Sequence, residues 1–199
     1  MIEHLRIIVS RIFAVLLIAL ILVSSSALSQ SAPLLGALLS FIGLALVSVA
    51  VIGRMWCSLY IAGYKTDRLI DQGPYSISRN PLYFFSMMGA VGIGFSTETL
   101  IIPAIILICF MAYYPLVIRS EESGLLKIHG ENFQRYMTTV PRFFPAWKRL
   151  VEPEEYPVKP RTYRRHMNDV IWFLLILGFL ELVKSFHQMG ILPTVLTLY

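Results

Sequence analysis

Five apolar runs, each long enough or nearly long enough to cross a bilayer, constrain this chain more than any other feature. A spanning helix takes about 20 mostly apolar residues, because the hydrocarbon is about 30 Å thick and each residue advances the helix by about 1.5 Å. The runs fall at about residues 7–23, 34–53, 81–96, 99–118 and 169–187. Composition agrees: 56% of the 199 residues are hydrophobic and 15% are charged, whereas a soluble domain is about a quarter charged. The expected fold is all-α, an integral membrane bundle of about five helices in a single domain spanning residues 1–199. The third run is short, glycine-rich and uncharged. Ser96-Thr97-Glu98-Thr99 leaves room only for a tight turn, so the third and fourth runs are expected to form an antiparallel hairpin.

The charges give that bundle a direction. With the N-terminus in the cytoplasm, sixteen of the seventeen Lys and Arg residues fall in cytoplasmic segments, and the two outer loops, 24–33 and 96–99, hold none. Basic residues gather in cytoplasmic loops of membrane proteins, so a multi-pass chain with its N-terminus inside and C-terminus outside is expected. The net charge of +5 calls for no nucleic-acid partner, since membrane topology accounts for where it lies. Arg161, Arg164 and Arg165, just before the fifth run, are placed to meet anionic lipid head groups. Arg6, Arg11 and the first run have the outline of a secretory leader, but the run is long for one and reads as a retained anchor. Cys57 and Cys109 frame no disulfide pattern, the four histidines have no metal-ligand spacing, and no metal site is expected.

The outer face is almost bare, while the cytoplasmic face carries segments 54–80 and 119–168. Loops held by a rigid scaffold carry function, so an active site is expected on the cytoplasmic side. Four features there bear chemistry. Gly73-Pro74-Tyr75 through Asn80-Pro81-Leu82-Tyr83 reads as a turn, an extended stretch and the start of a helix capped by Asn80. Such a helix end attracts anions, and Tyr75 and Tyr83 can flank a flat ring or a cation; an interfacial loop with belt tyrosines is the plainer alternative. Glu121 and Glu122 form a carboxylate pair that topology does not require, unless they merely begin a solvated helix. Gly92 and Gly94 either allow close helix packing or leave room for a ligand. Gly130 ends one short helix, Phe133, Tyr136 and Met137 give the next an apolar face, and Val140 to Pro145 then runs extended along the membrane surface.

In this order and spacing, Gly-Pro-Tyr-x-x-x-Arg-Asn-Pro-x-Tyr, the Glu pair, Gly130-x-x-Phe133-x-x-Tyr136 and Val140-Pro141-Arg142 resemble the isoprenylcysteine carboxyl methyltransferase family and the related phospholipid N-methyltransferases. The resemblance covers about residues 67–145. It implies that S-adenosylmethionine binds in a cytoplasmic pocket while a lipophilic substrate enters from the bilayer. Carried over by position, the cofactor would meet Asp67, Arg68, Leu69 and Ile70, then Tyr75, Asn80, Pro81, Leu82 and Tyr83, and then Glu121 and Glu122. Gly92 and Gly94 match the Gly-x-Gly associated with the phospholipid enzymes. The chain departs from the pattern twice. Asn80 stands where members usually carry His, and Val117 stands where the prenylcysteine enzymes carry a substrate-binding Arg. Arg119 and Arg142 are the remaining candidates to hold an ionised acceptor. The resemblance thus implies methyl transfer to a lipophilic acceptor, as carboxyl O-methylation of an isoprenylcysteine-like group or as N-methylation of a phospholipid or amine. An NADPH-dependent sterol-reductase-like enzyme and a non-enzymatic membrane protein are the other readings. A lipophilic acceptor and a water-soluble cofactor should meet at the edge of the hydrocarbon, in a pocket with one polar and one apolar opening beside Tyr83, Arg119, Phe143 and Phe144.

Overall fold

The computed structural model describes residues 2–64 and 68–199, with side chains omitted for residues 2–11 and 13. All five apolar runs are helical: α1 (Ile2–Val23), α3 (Pro33–Ile61), α5 (Pro81–Phe95), α6 (Ile101–Thr139) and α7 (Pro160–Gln188). Short helices α2 (Ala27–Ser31) and α4 (Pro74–Ile77) lie in the connections, with a 3₁₀ turn at Trp147–Arg149. Among the described residues α3, α6 and α7 are long and apolar enough to span a membrane, and α5 and the Ala14–Val23 part of α1 are shorter apolar helices. Leu34, Phe41, Ile52, Ile108, Leu116 and Trp172 are exposed; apolar side chains on such helices face lipid, the solvent that makes their exposure favourable. The protein is a helical membrane bundle.

Glycines set how closely the helices pack. A Cβ on Gly43 of α3 would lie 2.6 Å from the Gly92 carbonyl of α5, and one on Gly92 would lie 2.8 Å from the Gly43 carbonyl. Gly53 admits the Phe85 ring, Gly89 admits the Phe173 ring of α7, and Gly94 lies against the Pro103 backbone of α6. In lipid, where apolar burial drives little association, such close backbone approach supplies the van der Waals contact that holds helices together. The 96–99 turn is as tight as expected, with Glu98 in the left-handed region at φ 61°. Beside it, Ile21, Ile102, Ile106, Leu180 and Val183 form the apolar core of that end of the bundle.

Three local features differ from the sequence reading. Helix α3 runs on to Ile61, two turns past its apolar run, so Arg54 is a helix residue and not a loop residue. The stretch after Gly73 is a single helical turn, Pro74–Ile77, where extended chain was expected; Pro at its first position presets the helical φ. A short parallel strand pair, β1 (Ser24–Ser26) with β2 (Leu196–Leu198), closes the end of the bundle that holds the 96–99 turn. The Tyr199 carbonyl there accepts from the Leu100 and Ile101 amides at 2.9 Å, satisfying donors at the start of α6. Helix α6 continues beyond its apolar run to Thr139 and breaks at Gly130 (φ 52°), the position read as a helix end.

Candidate functional site

The end of the bundle away from the 96–99 turn holds a cleft of about 300 Å³. Its walls are the chain leading into α5, the first turn of α5, and the stretch of α6 on either side of Gly130. Glu121, Leu125 and Ile128 stand three or four residues apart and so share one face of α6, which turns into the cleft. Phe133 and Tyr136, beyond the Gly130 break, close it and are buried.

One carboxylate of the Glu pair is structural. Glu122 is buried, its side chain 7% exposed. Arg142 grips its Oε2 from Nη2 at 2.6 Å and from Nε at 3.0 Å, and Arg79 reaches its Oε1 at 3.1 Å. The Asn80 side-chain amide donates to the Arg142 carbonyl at 2.9 Å and reaches Glu122 at 3.4 Å. Asn80 therefore precedes α5 as read, but its side chain makes no capping bond to that helix. It ties α5 to the 140–146 segment. Three further bonds lace that segment to residues 77–79: Arg79 N to Pro141 O at 2.9 Å, Ser78 Oγ to Phe143 O at 2.9 Å, and Ala146 N to Ile77 O at 2.8 Å.

The other carboxylate is available. Glu121 makes no ion pair among the described residues, and the Tyr83 hydroxyl donates to it at 2.7 Å. The Tyr136 hydroxyl donates to the Tyr75 carbonyl at 2.7 Å, pinning the turn at Tyr75 to α6. Burial raises the pKa of both the Tyr75 and the Tyr136 phenols, so each stays a neutral donor across the working pH range. On the far wall Arg68 lies between two rings, its guanidinium carbon 4.7 Å from the centre of Tyr64 and 4.9 Å from that of Tyr156. The Tyr156 hydroxyl is fixed to the Tyr60 carbonyl at 2.9 Å. Beside Tyr83 runs an aromatic train: Tyr114 at 5.0 Å between centres, Phe110 stacked on it at 3.5 Å, and Phe143 at 6.5 Å from Phe110. Phe144 is 66% exposed.

Of the residues expected around a cofactor, the cleft gathers Arg68, Leu69, Ile70, Tyr75, Asn80, Leu82, Tyr83, Glu121 and Glu122. Tyr75 and Glu121, 46 positions apart in sequence, thus face one cavity. Asp67 lies outside the described residues. Pro81 is fully buried beneath the cleft and does not line it. The cleft does not include Gly92 or Gly94. They stand nine and eleven residues along α5 from Tyr83, about 14 and 16 Å, and their missing side chains are filled by α3 and by Pro103. Helix packing accounts for both. Arg119 is exposed and lines no part of the cleft, and Arg142 is committed to Glu122. Val117 is buried.

A helical membrane bundle whose connecting segments fold into a mainly apolar and aromatic cleft, carrying two arginines and two glutamates, at the start of one short span is the class of molecule these observations define. The chain belongs to the phospholipid methyltransferase family, whose pattern matches residues 31–132. It is 37% identical over 161 residues to the cobalt-zinc-cadmium resistance protein CzcN of Cupriavidus metallidurans, a match covering 81% of this chain and 74% of the relative. It is 36% identical over 160 residues to the nickel-cobalt-cadmium resistance protein NccN of Alcaligenes xylosoxydans xylosoxydans, covering 80% and 75%. No solved structure matches it.

Proposed function

We propose that this protein is an S-adenosylmethionine-dependent methyltransferase acting on a lipid-soluble acceptor at the cytoplasmic face of the membrane. The observation that carries the reading is Glu121: a carboxylate without an ion-pair partner among the described residues, oriented by the Tyr83 hydroxyl, in a cleft that is otherwise mainly apolar and aromatic. A negative charge so placed favours a cationic ligand, and in a partly desolvated cleft the attraction is stronger than in water. The rest of the donor set fits the same cofactor. Leu69, Ile70, Leu125, Ile128 and Phe133 offer an apolar slot for a flat base, and Arg68 offers a fixed cation for a carboxylate. The volume is at the small end of the range of about 300–1,000 Å³ for ligand pockets.

When bound, that cofactor supplies an electrophilic methyl group on a positively charged sulfur. Transfer in line to oxygen or nitrogen needs little proton chemistry, so alignment and exclusion of water carry the rate. Tyr83 and Tyr75 hold the reacting region from two sides, and the aromatic train from Tyr114 to Phe143 gives a lipid chain an apolar path to it. Each methylene pulled from the bilayer would cost about 0.8 kcal/mol, which favours entry from the side. The distribution of basic residues supports the cytoplasmic placement.

Isothermal calorimetry in detergent tests the reading. S-Adenosylhomocysteine should bind and NADPH should not, and Glu121→Ala and Tyr83→Ala should each weaken binding at least tenfold while the protein stays folded. Binding of NADPH in place of S-adenosylhomocysteine, or full affinity in both variants, would overturn it.

A further inference from the structure

Methyl transfer to a lipid leaves open what holds the polar part of that lipid. Arg119 is exposed and Arg142 is engaged by Glu122. A third arginine is placed differently. Arg54 lies on α3 and turns toward the bundle, where its guanidinium donates to the Ser86 hydroxyl of α5 and lies over the Phe173 ring of α7, 5.5 Å from its centre. No carboxylate among the described residues reaches it as an ion pair, and its buried Nε has no hydrogen-bond partner there. Asp169 acts on it electrostatically, but that side chain is 61% exposed and beyond ion-pair distance. The phenols of Tyr114 and Tyr75 are also within its electrostatic reach. Tyr75 lines the cleft, and Tyr114 packs against Tyr83, which also lines it. Arg54 thus sits behind the cleft wall, among α3, α5 and α7.

An arginine at the edge of the hydrocarbon is costly to keep without a counter-charge, and such residues mark ligand paths. Here its direct contacts are a neutral hydroxyl and an aromatic face, which leave Nε without a partner among the described residues. We propose that Arg54 binds the anionic oxygen group of a lipid acceptor, a phosphate or a carboxylate, so that the nucleophile is presented to the cleft past Tyr75 and Tyr114. This assigns to α3 the cation that Val117 does not provide on α6. The proposal rests on the reading of the protein as a lipid methyltransferase, but its test does not require turnover.

The test uses wild-type protein purified in dodecyl maltoside, an uncharged detergent. Phenylglyoxal modifies arginines, and peptide mass spectrometry reads the rate at Arg54, with exposed Arg119 as the internal reference. Dodecyl phosphate or dodecanoate should slow modification of Arg54 at least tenfold while leaving Arg119 unchanged, and dodecanol should do neither. Whichever anion protects better assigns the group as phosphate or carboxylate. Arg54→Gln should lose stabilisation by that anion while keeping its affinity for S-adenosylhomocysteine; if it does not fold, Arg54→Lys, which keeps the charge, should retain stabilisation. Equal protection by dodecanol, or protection by none of the three, would overturn the proposal and leave Arg54 as a clamp between helices. Protection by an anion in a protein that fails to bind S-adenosylhomocysteine would sink the cofactor reading alone.

Discussion

Replacing Glu122 by Met should unfold the cleft, and restoring stability should require losing a second charge. Arg79 is only 12% exposed and gives its guanidinium to Glu122 at 3.1 Å. Without that carboxylate it becomes a buried charge with no ion-pair partner among the described residues, and breaking a buried pair from one side costs about 3–5 kcal/mol. Arg142 contributes less. Its side chain is 46% exposed, so water replaces much of the lost attraction, and a screened pair is worth about 0.2–1 kcal/mol. Arg79→Met alone should cost about 1.5–3 kcal/mol, the value of a hydrogen bond to a charged group, because Glu122 keeps both bonds from Arg142. The double variant removes both buried charges and fills their space with apolar atoms, a change that is often neutral or stabilising. It should therefore lie within about 1 kcal/mol of wild type, giving a coupling of about 3 kcal/mol or more. Equilibrium unfolding in mixed micelles of dodecyl maltoside and dodecyl sulfate measures all four proteins. If the losses simply add, the network is not a coupled buried unit and the argument fails.

Single cysteines at Ser29 and Glu98 should label in intact cells with a membrane-impermeant maleimide while one at Lys127 should not; the reverse pattern would put the cleft on the other side of the membrane. Gly43→Ala should destabilise the bundle by about 1–3 kcal/mol, because its Cβ would meet the Ser96 hydroxyl and lie 2.6 Å from the Gly92 carbonyl, whereas Gly178→Ala, with nothing within 4 Å among the described residues, should be harmless in the same unfolding assay. Stability should also fall in acid through Glu98. Burial pushes its pKa up, but the hydrogen bonds from Ser29 and Lys184 and the Lys184 charge outweigh this and hold it below the ordinary value of 4.5. A depressed carboxyl contributes stability that is present above the unfolded-state pKa and is lost as pH falls through the lower folded value. The loss should therefore develop below about pH 4.5 and be absent in Glu98→Gln, which a pH series of unfolding curves would show.

The sequence made the locally determined features legible. Apolar run length placed the five helices, the four polar residues at 96–99 could only turn, and Gly130 broke α6 because glycine alone readily combines φ 52° with ψ −126°. Features decided by distant partners were not legible. Helix α3 outlasts its apolar run because its last turns pack on the chain from Trp147 to Lys159: Trp56 stacks near Trp147 and donates to Glu152, and Tyr60 meets Tyr156. The two glutamates look alike in sequence. Their division of labour follows from arginines 43 positions before and 20 after Glu122, which leave Glu121 to the cleft. Gly92 and Gly94 fitted two readings until the neighbouring helix was seen to fill the space. Asn80 was expected to serve the helix it precedes, yet the Arg142 carbonyl draws its amide away. Leu125, Ile128 and Phe133 were missed as lining residues, although the four- and seven-residue spacing from Glu121 was a signal for the first two.

Helix α5 has 15 residues, which at about 1.5 Å each span about 22 Å, against a hydrocarbon thickness of about 30 Å. Its far end is tied by the 96–99 turn to the start of α6, so the shortfall of about 8 Å falls at Asn80 and Pro81. The floor of the cleft is then sunk into the membrane like the bottom of a well, below the level its longer neighbours reach. Such hydrophobic mismatch is relieved when the bilayer thins locally, at a fraction of a kcal/mol per ångström. The head groups over α5 then come down toward the cleft. Bilayer thickness thereby sets how deep the cleft lies: a thin, fluid bilayer leaves lipid head groups beside it, and, on the reading proposed above, a thick, ordered one holds an acceptor farther away.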